Sequence, residues 1–560
     1  MSGSSGMGAG AGQRADGLPE MVFELTIAYA IVFRESRGMR QAENGSCLVA
    51  ESPLVLAVRL GGEGCAALEA DYRSGMGQFL TPPRVAGLLA GMFESAVGDV
   101  RLLDAGAGVG TLTAAFVEEV LGREVKPRSL HLTAWEAEAE FIGKLRQVLE
   151  ECVEAGRAAG VPTSYVLNHG DMLKDGAALL DEDDLFKGPR VRRGFTHAIM
   201  NPPYRKINMD SEARSLLRRA GLETSNLYTG FLWLVARLLE PEGQMVAITP
   251  RSFCNGPYFL PFRECFFALM SLERLHVFDR RDALFAGDDV LQENLIMYAR
   301  RSAKRRISVM LTSSDGLPAG AARSRTVPYA RVMDPADSSR VVHLALDVAD
   351  DDVKLAVMGL PASLAGLGIE VSTGRVVDFR ARDYLRKNPG EHTVPLIYPL
   401  HFNGGCVHWP CPGSRKANAL LAVPETEELL VPNGVYVLVK RFTAKEERRR
   451  VVATVFRPEG NLADFASVGF ENHLNYFHRK GRPLDGALAE GLALYLNSTV
   501  VDSYFRQFSG HTQVNATDLR SLRYPSKEQI CGLAASVATV ARDQAAIDAA
   551  VEAMIQKSRH

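Results

Sequence analysis

Cysteine is scarce in this chain, eight in 560 residues, and no two stand in a CxxC pair. That excludes a disulfide-stapled scaffold and suits a reducing cytoplasm. His401, Cys406, His408 and Cys411 lie close in sequence, but at a spacing unusual for zinc, and buried or reduced thiols are the plainer reading. An excess of charge is missing too. The net charge of −2 rules out a wholly basic nucleic-acid coat and leaves room for a local basic face. There is no long hydrophobic run. Met21 to Phe33 carries Glu24 and falls short of the roughly 20 apolar residues that span a bilayer, so no membrane association is expected. No secretory signal, internal repeat, GxxxxGK[ST] phosphate loop or clear paired-acid nuclease signature is present.

What is present is enough apolar residue (46%) for large cores, in a chain too long for one. Residues 1–20, rich in Gly and Ser, form a disordered tail or an expression remnant. From about 70 to 300, apolar runs alternate with amphipathic stretches. The runs are Arg101–Leu103, Leu130–Trp135, Ser164–Leu167, Phe195–Met200, Gln244–Thr249, Leu275–Phe278 and Asn294–Tyr298. Leu112–Leu121, Ala137–Cys152 and Thr229–Leu239 have helical spacing. Such alternation predicts an α/β fold with a doubly wound, largely parallel sheet over residues 21–310. Ser, Gly and Ala then accumulate, and residues 311–365 read as a linker region. From 366 to 560 the strands are short, and basic and aromatic residues interleave. That predicts a mixed α+β second domain with a helical tail over 527–558.

Asp104-Ala105-Gly106-Ala107-Gly108-Val109-Gly110 is the first chemical landmark. A strand ends, three alternate glycines follow, and a helix starts near Thr111. Thr111 stands where a dinucleotide fingerprint would have its last glycine. Glycines allow a tight turn and close approach of a ligand, and helix N–H groups face its polar end. The leading acid suits an amino group and the bare backbone a carboxylate, the two ends of an amino acid such as the methionine part of S-adenosylmethionine. Glu136 ends the next strand, where an acid holds ribose hydroxyls. Asp171 follows the third and could accept from an adenine amino group. A solvated acid at Glu136 and a helix cap at Asp171 are the plainer alternatives.

Asn201-Pro202-Pro203-Tyr204 follows the apolar run at 195–200. Proline cannot continue a ladder, so the strand ends in a rigid turn. The Asn201 oxygen and a carbonyl, that of Pro202, could converge on an –NH₂ group and draw its lone pair toward an electrophilic methyl. Tyr204 offers a face for stacking a planar base. A simple Pro-rich turn is the plainer alternative.

In this order, GQFLTPP (77–83), DAGAGVG (104–110), Glu136, Asp171 and NPPY (201–204) resemble the gamma class of DNA adenine-N6 methyltransferases. VSTGRVVDF (371–379), FENHLNYFH (470–478) and YFRQFSGHTQVNATDLRSLRYP (504–525) are similar to the PstI/BsuBI-type modification methylases of type II restriction-modification systems. The resemblance implies a Rossmann-like S-adenosyl-L-methionine-dependent catalytic domain followed by a target recognition domain. It implies that Phe79, Thr81 and Pro82 enclose the cofactor, and that Asp104, Ala105, Gly106, Gly108 and Gly110 form its loop. Glu136 would bind its ribose and Asp171 its adenine, with Asn201 adjoining. Asn201, Pro202, Pro203 and Tyr204 would act on the target base, and Tyr298 would be a second aromatic beside it. It further implies double-stranded DNA as partner, a cognate endonuclease as functional counterpart, CTGCAG as a candidate target, and a cytoplasmic monomer without a metal.

An adenine inside a duplex must be flipped out to reach such a pocket. The C-terminal domain has material for holding the duplex: Lys440, Arg441, the run Lys445 to Arg450, His473, Arg479, Lys480 and His511. Gln513 and Asn515 are candidates for contacts near the flipped base. A solvated face is the plainer reading of the basic run. Two other functions stay open: an NPPY enzyme acting on RNA or a protein amide, and a DNA-binding specificity module without catalysis.

Overall fold

The computed structural model describes residues 51–67, 81–94, 96–181, 194–278, 293–314, 323–443, 447–509, 513–537 and 543–558. The expected tail at 1–20 and the run at 21–33 lie outside them, as do Phe79, Lys445 and His511.

All seven apolar runs are strands: β1 (Asp99–Ala105), β2 (Ser129–Glu136), β3 (Thr163–His169), β4 (Phe195–Met200), β5 (Leu239–Pro250), β6 (Met270–Phe278) and β7 (Asn294–Arg301). With β8 (Ser308–Ser314) and β9 (Arg323–Pro328) they form one sheet in the order β3-β2-β1-β4-β5-β7-β6-β8-β9. β1 to β5 are parallel, and β7 runs antiparallel between β5 and β6. Both faces are covered, as parallel strands require. Val100 and Leu102 of β1 pack into one core with helices α1 (Pro53–Ala67), α2 (Pro83–Gly91), α3 (Thr111–Leu121) and α4 (Ala139–Ala158). Leu103 and Ala105 face the other, beneath α5 (Met172–Asp181), α6 (Glu212–Arg219), α7 (Leu227–Leu238) and α8 (Leu260–Leu269). In α4 the buried Phe141, Leu145, Val148, Leu149 and Cys152 make the stripe that docks it.

The region read as a linker, 311–365, is corrected by the structure. β8 pairs parallel with β6, β9 pairs with β8, and α9 (Val348–Met358) starts from an Asp347–Asp350 capping box. The Ser- and Gly-rich composition hid an alternation: Val309, Leu311 and Ser313 point inward. Period, not composition, decides a strand.

The C-terminal part is α+β. One six-stranded sheet includes Glu370–Thr373, Tyr436–Lys440, Ala453–Phe456 and Leu474–His478, and a five-stranded sheet includes Thr393–Ile397 and Ser467–Phe470. Helices α10 (Gly486–Leu496), α11 (Thr499–Phe508), α12 (Ala516–Ser521), α13 (Lys527–Val537) and α14 (Gln544–Ser558) close it. α10 and α13 touch at Gly491, where a Cβ would stand 1.7 Å from the Ile530 carbonyl oxygen. The expected helical tail is thus a packed element. No helix among the described residues is long and apolar enough to cross a membrane.

The two parts are joined at the C-terminal end of β5. The Arg251 guanidinium pairs with Glu293 at 3.1 Å and donates to the Arg506 and Gln507 carbonyls, each at 2.7 Å. Asn255 Nδ2 lies 3.3 Å from Asp518 Oδ1. Arg263, almost wholly buried, donates to the carbonyls of Phe253, Asn255 and Ser339. Burial lowers its pKa to about 10, so it remains charged at neutral pH.

Candidate active site

Strand order reverses between β1 and β4, and the crevice above their carboxyl ends is where such sheets hold ligands. The glycine loop leaves β1 there and the NPPY turn leaves β4.

The loop is braced from β2. Gly106 N and Ala107 N both donate to the Trp135 carbonyl at 2.9 Å. Gly108 N donates to Glu136 Oε2 at 2.7 Å, and Glu138 N to Glu136 Oε1 at 2.8 Å. Glu136 is buried at the strand tip, and burial raises its pKa against those two donors. Gly110 has φ +90°, and a Cβ there would lie 2.9 Å from Leu145 Cδ1. Only glycine makes both the left-handed turn and the close passage of α3 over α4.

Asp104 is sealed from solvent, because strand alternation turns it to the α3 side with Leu102. Its Oδ2 accepts from Thr113 Oγ1 at 2.7 Å, and its Oδ1 has no partner among the described residues. Burial pushes its pKa up to about 7, and the neighbouring Glu136 charge adds to the rise. Asp104 thus sits buried at the end of β1, directly before the first glycine-loop residues.

At the end of β4, Asn201 Nδ2 donates to Thr81 Oγ1 at 3.1 Å. The Tyr204 hydroxyl lies 2.7 Å from Asn201 Oδ1 and 3.2 Å from the Ile248 carbonyl of β5. Burial raises the Tyr204 phenol well above its usual value, so it is a proton donor at all ordinary pH. Pro202 is buried and Pro203 half-buried, which fixes the turn. Thr81 accepts from the Asn201 amide, and Pro82, next in the chain, is the residue from which α2 starts.

Asp171 is exposed two residues past β3, and its Oδ1 accepts from Leu173 N at 2.9 Å, capping α5. Tyr298 does not join the site. It lies on β7 with no exposed surface, its hydroxyl 3.0 Å from Gln244 Oε1 and its ring packed on Phe93. The antiparallel β7 sits two strands from β4, so this side chain enters the core under α2 and α3 instead.

Residues that sequence reasoning missed complete the wall. Tyr228 of α7 meets the Tyr204 ring edge-on at 6.3 Å and hydrogen-bonds Ser252 at 2.8 Å. Phe231, one turn on, lies 3.8 Å from where a Gly106 Cβ would stand. The aromatic spacing in Leu227-Tyr228-Thr229-Gly230-Phe231 was the available signal.

In the C-terminal domain, Arg441 Nη2 lies 3.2 Å from Gln513 Oε1, and the Lys440 ammonium stands 5.9 Å from the Phe402 ring. Asn515 caps α12 through Asp518, whose pKa burial raises to about 6. Asn255 holds that same Asp518, so Asn515 sits near the end of β5. Arg450 of the basic run is a buried strut, bonded to Asp502 and Ser509, not a surface contact. His401 is likewise satisfied without metal, by Tyr398 N at 3.0 Å and Asn418 at 3.1 Å.

The donor set fits S-adenosyl-L-methionine. A carboxylate pinned at the β2 tip, an unsatisfied buried acid under a bare glycine backbone, and a crevice at the switch point match a ribose, a cationic amino acid and a purine. Comparison with known proteins agrees. Residues 140–285 match the Eco57I restriction-modification methylase family. The chain is 41% identical over 489 residues to the Type II methyltransferase M.PstI of Providencia stuartii, covering 87% of this chain and 94% of that one. It is 39% identical over 466 residues to M.BsuBI of Bacillus subtilis, covering 82% and 90%. Its fold is similar to the Type IIL restriction-modification enzyme MmeI solved with DNA, at TM-score 0.51 and 9% identity over 90% of this chain and 78% of that one. Identity at that level across nearly the whole of two relatives means that the chain belongs to the Type II methyltransferases of restriction-modification systems, with S-adenosyl-L-methionine as methyl donor.

Proposed function

We propose that the chain methylates N6 of an adenine flipped out of duplex DNA at one recognition sequence. The observation that carries this reading is the Asn201–Tyr204 turn, standing at the tip of β4 across the switch point from the glycine loop, with its amide already held by Thr81.

The bound cofactor supplies a methyl group on a positively charged sulfur. The chain's residues prepare the nitrogen that receives it. Asn201 Oδ1 and the Pro202 carbonyl accept the two N–H bonds of the adenine amino group, which takes its lone pair out of the ring's conjugation and aims it into the crevice. For that, the Tyr204 hydroxyl gives up its 2.7 Å contact with Asn201 Oδ1, and its ring becomes a stacking surface. With the cofactor bound, the aligned lone pair would take its methyl group and the N–H proton would then pass to water, so no strong base is needed beforehand. Flipping costs roughly a few kcal/mol, which stacking and these hydrogen bonds partly offset.

The reading extends to a cytoplasmic monomer whose functional counterpart is an endonuclease of the same specificity, as family membership suggests. The test uses labelled S-adenosyl-L-methionine and duplexes containing CTGCAG. Label should appear in N6-methyladenine, and Asn201→Ala should lose it while still binding cofactor. Label in RNA or protein would reject DNA as the substrate, and label on cytosine would reject the adenine assignment. Sedimentation at micromolar concentration checks the monomer.

A further inference from the structure

Phe442 is a large apolar side chain left 42% exposed on the C-terminal domain. Single exposed apolar residues are common, but this one is mounted rigidly. Its ring rests on the His473 imidazole at 4.7 Å. His473 is in turn held by the buried Glu471 carboxylate, through its ring nitrogen and through its backbone N–H at 2.9 Å. Three distant segments are tied together beneath it. Arg441 N donates to the His473 carbonyl at 2.8 Å, Val514 N donates to the Arg441 carbonyl at 2.7 Å, and Phe442 bridges Gln513. Asn475 Nδ2 locks Val514 from below at 2.7 Å. The ordering cost of presenting this ring is thus met in folding rather than on binding.

One cation stands beside the ring. The Arg441 guanidinium stands 5.6 Å from the Phe442 ring, and its buried Nε–H has no acceptor among the described residues. The platform is also anchored to the catalytic mouth. Gln513 and Val514 belong to the stretch held at both ends by the tip of β5, through Arg251 on the Arg506 and Gln507 carbonyls and Asn255 on Asp518. The same strand's Ile248 carbonyl touches Tyr204.

Taking the adenine reading above as given, we infer that Phe442 is a stacking wedge for the duplex at the base pair being opened, backed by His473 and flanked by Arg441. Removing one base leaves two faces of the stack bare. A fixed aromatic ring with a cation beside it restores stacking and meets the phosphate charge, and it does so whatever the neighbouring bases are.

The experiment follows fluorescence in a duplex carrying 2-aminopurine at the target position of the mapped methylation site, and kcat/KM on the same duplex with adenine at that position. Phe442→Ala should lower both by about tenfold or more, the size expected for one stacking contact. Phe442→Trp should keep both near wild type. The two variants should bind cofactor and melt like the wild type. A duplex mismatched at the target, already unstacked, should rescue Phe442→Ala. Wild-type fluorescence and rate in Phe442→Ala, or an equal loss on matched and mismatched duplexes, would overturn the wedge alone. Absence of adenine methylation by the wild type would overturn the wedge together with the reading it rests on.

Discussion

The crevice at the strand tips and the platform around Phe442 are built by opposite means. In the crevice, the glycine loop, Glu136 and the NPPY turn are short contiguous motifs at strand ends, and the sheet's strand order brings them together. In the platform, residues 441–442, 471–473 and 513–514 converge from segments that share no local pattern. The difference teaches what each region depends on: the crevice on the residue types at a few strand tips, the platform on the long-range ties that hold it.

Four substitutions test that contrast. Asn201→Ala should have the largest effect, cutting methyl transfer by roughly a hundredfold or more, as loss of one preorganised polar group does. Calorimetry should find cofactor affinity within a few-fold of wild type; a parallel loss of cofactor binding would mean that the crevice is one unit, not two. Arg251→Ala cuts the tie between the regions and leaves Glu293 buried without its cation. It should cost about 3 kcal/mol of stability, within the range for a broken buried pair. DNA affinity should fall further than cofactor affinity, and equal losses would contradict a platform positioned through β5.

Gly110→Ala forces a Cβ to within 2.9 Å of Leu145 at φ +90°. Strain of roughly 1–3 kcal/mol is expected, read as a lower melting temperature and weaker cofactor binding, with DNA affinity unchanged. The remaining test is electrostatic. Burial pushes the Asp104 carboxyl up to about 7, well above the usual carboxylate range. Its protonated form is favoured by folding, so its contribution is full below the unfolded value and is lost as pH rises toward 7. Melting temperature should fall over that window, and Asp104→Asn should flatten the profile. A profile unchanged by the substitution would remove Asp104 as its source.

Much of the crevice was legible in the sequence. Seven apolar runs marked seven strands, and the glycines, Glu136 and NPPY marked three strand tips, because each is a local pattern with a local cause. Neither β8 nor β9 was legible, since a Ser- and Gly-rich composition masked the alternation of Val309, Leu311 and Ser313. Tyr298 could not be placed from its own strand. Its burial depends on β7 running antiparallel between β5 and β6, a pairing no local residue announces. Asp104 faced the same difficulty: the motif named the acid, but only α3 packing over it decided that it is sealed. The basic run was misleading for a related reason, since charge suggests solvent while the Arg450 guanidinium turns inward to the Thr443 carbonyl and Ser509 Oγ, a tertiary contact.

By itself, then, the chain's order of residues determined the strands, the tight turn after β1, the proline-stiffened end of β4 and the chemistry these can carry, since backbone conformation and hydrogen-bonding capacity are properties of a few adjacent residues. The tertiary structure alone decided that Thr81 meets Asn201, that Arg251 joins the two halves, and that Phe442 stands on His473 facing solvent. Those contacts link residues up to 256 positions apart, and only packing of the whole chain sets the distances at which a hydrogen bond or a stacked ring can form.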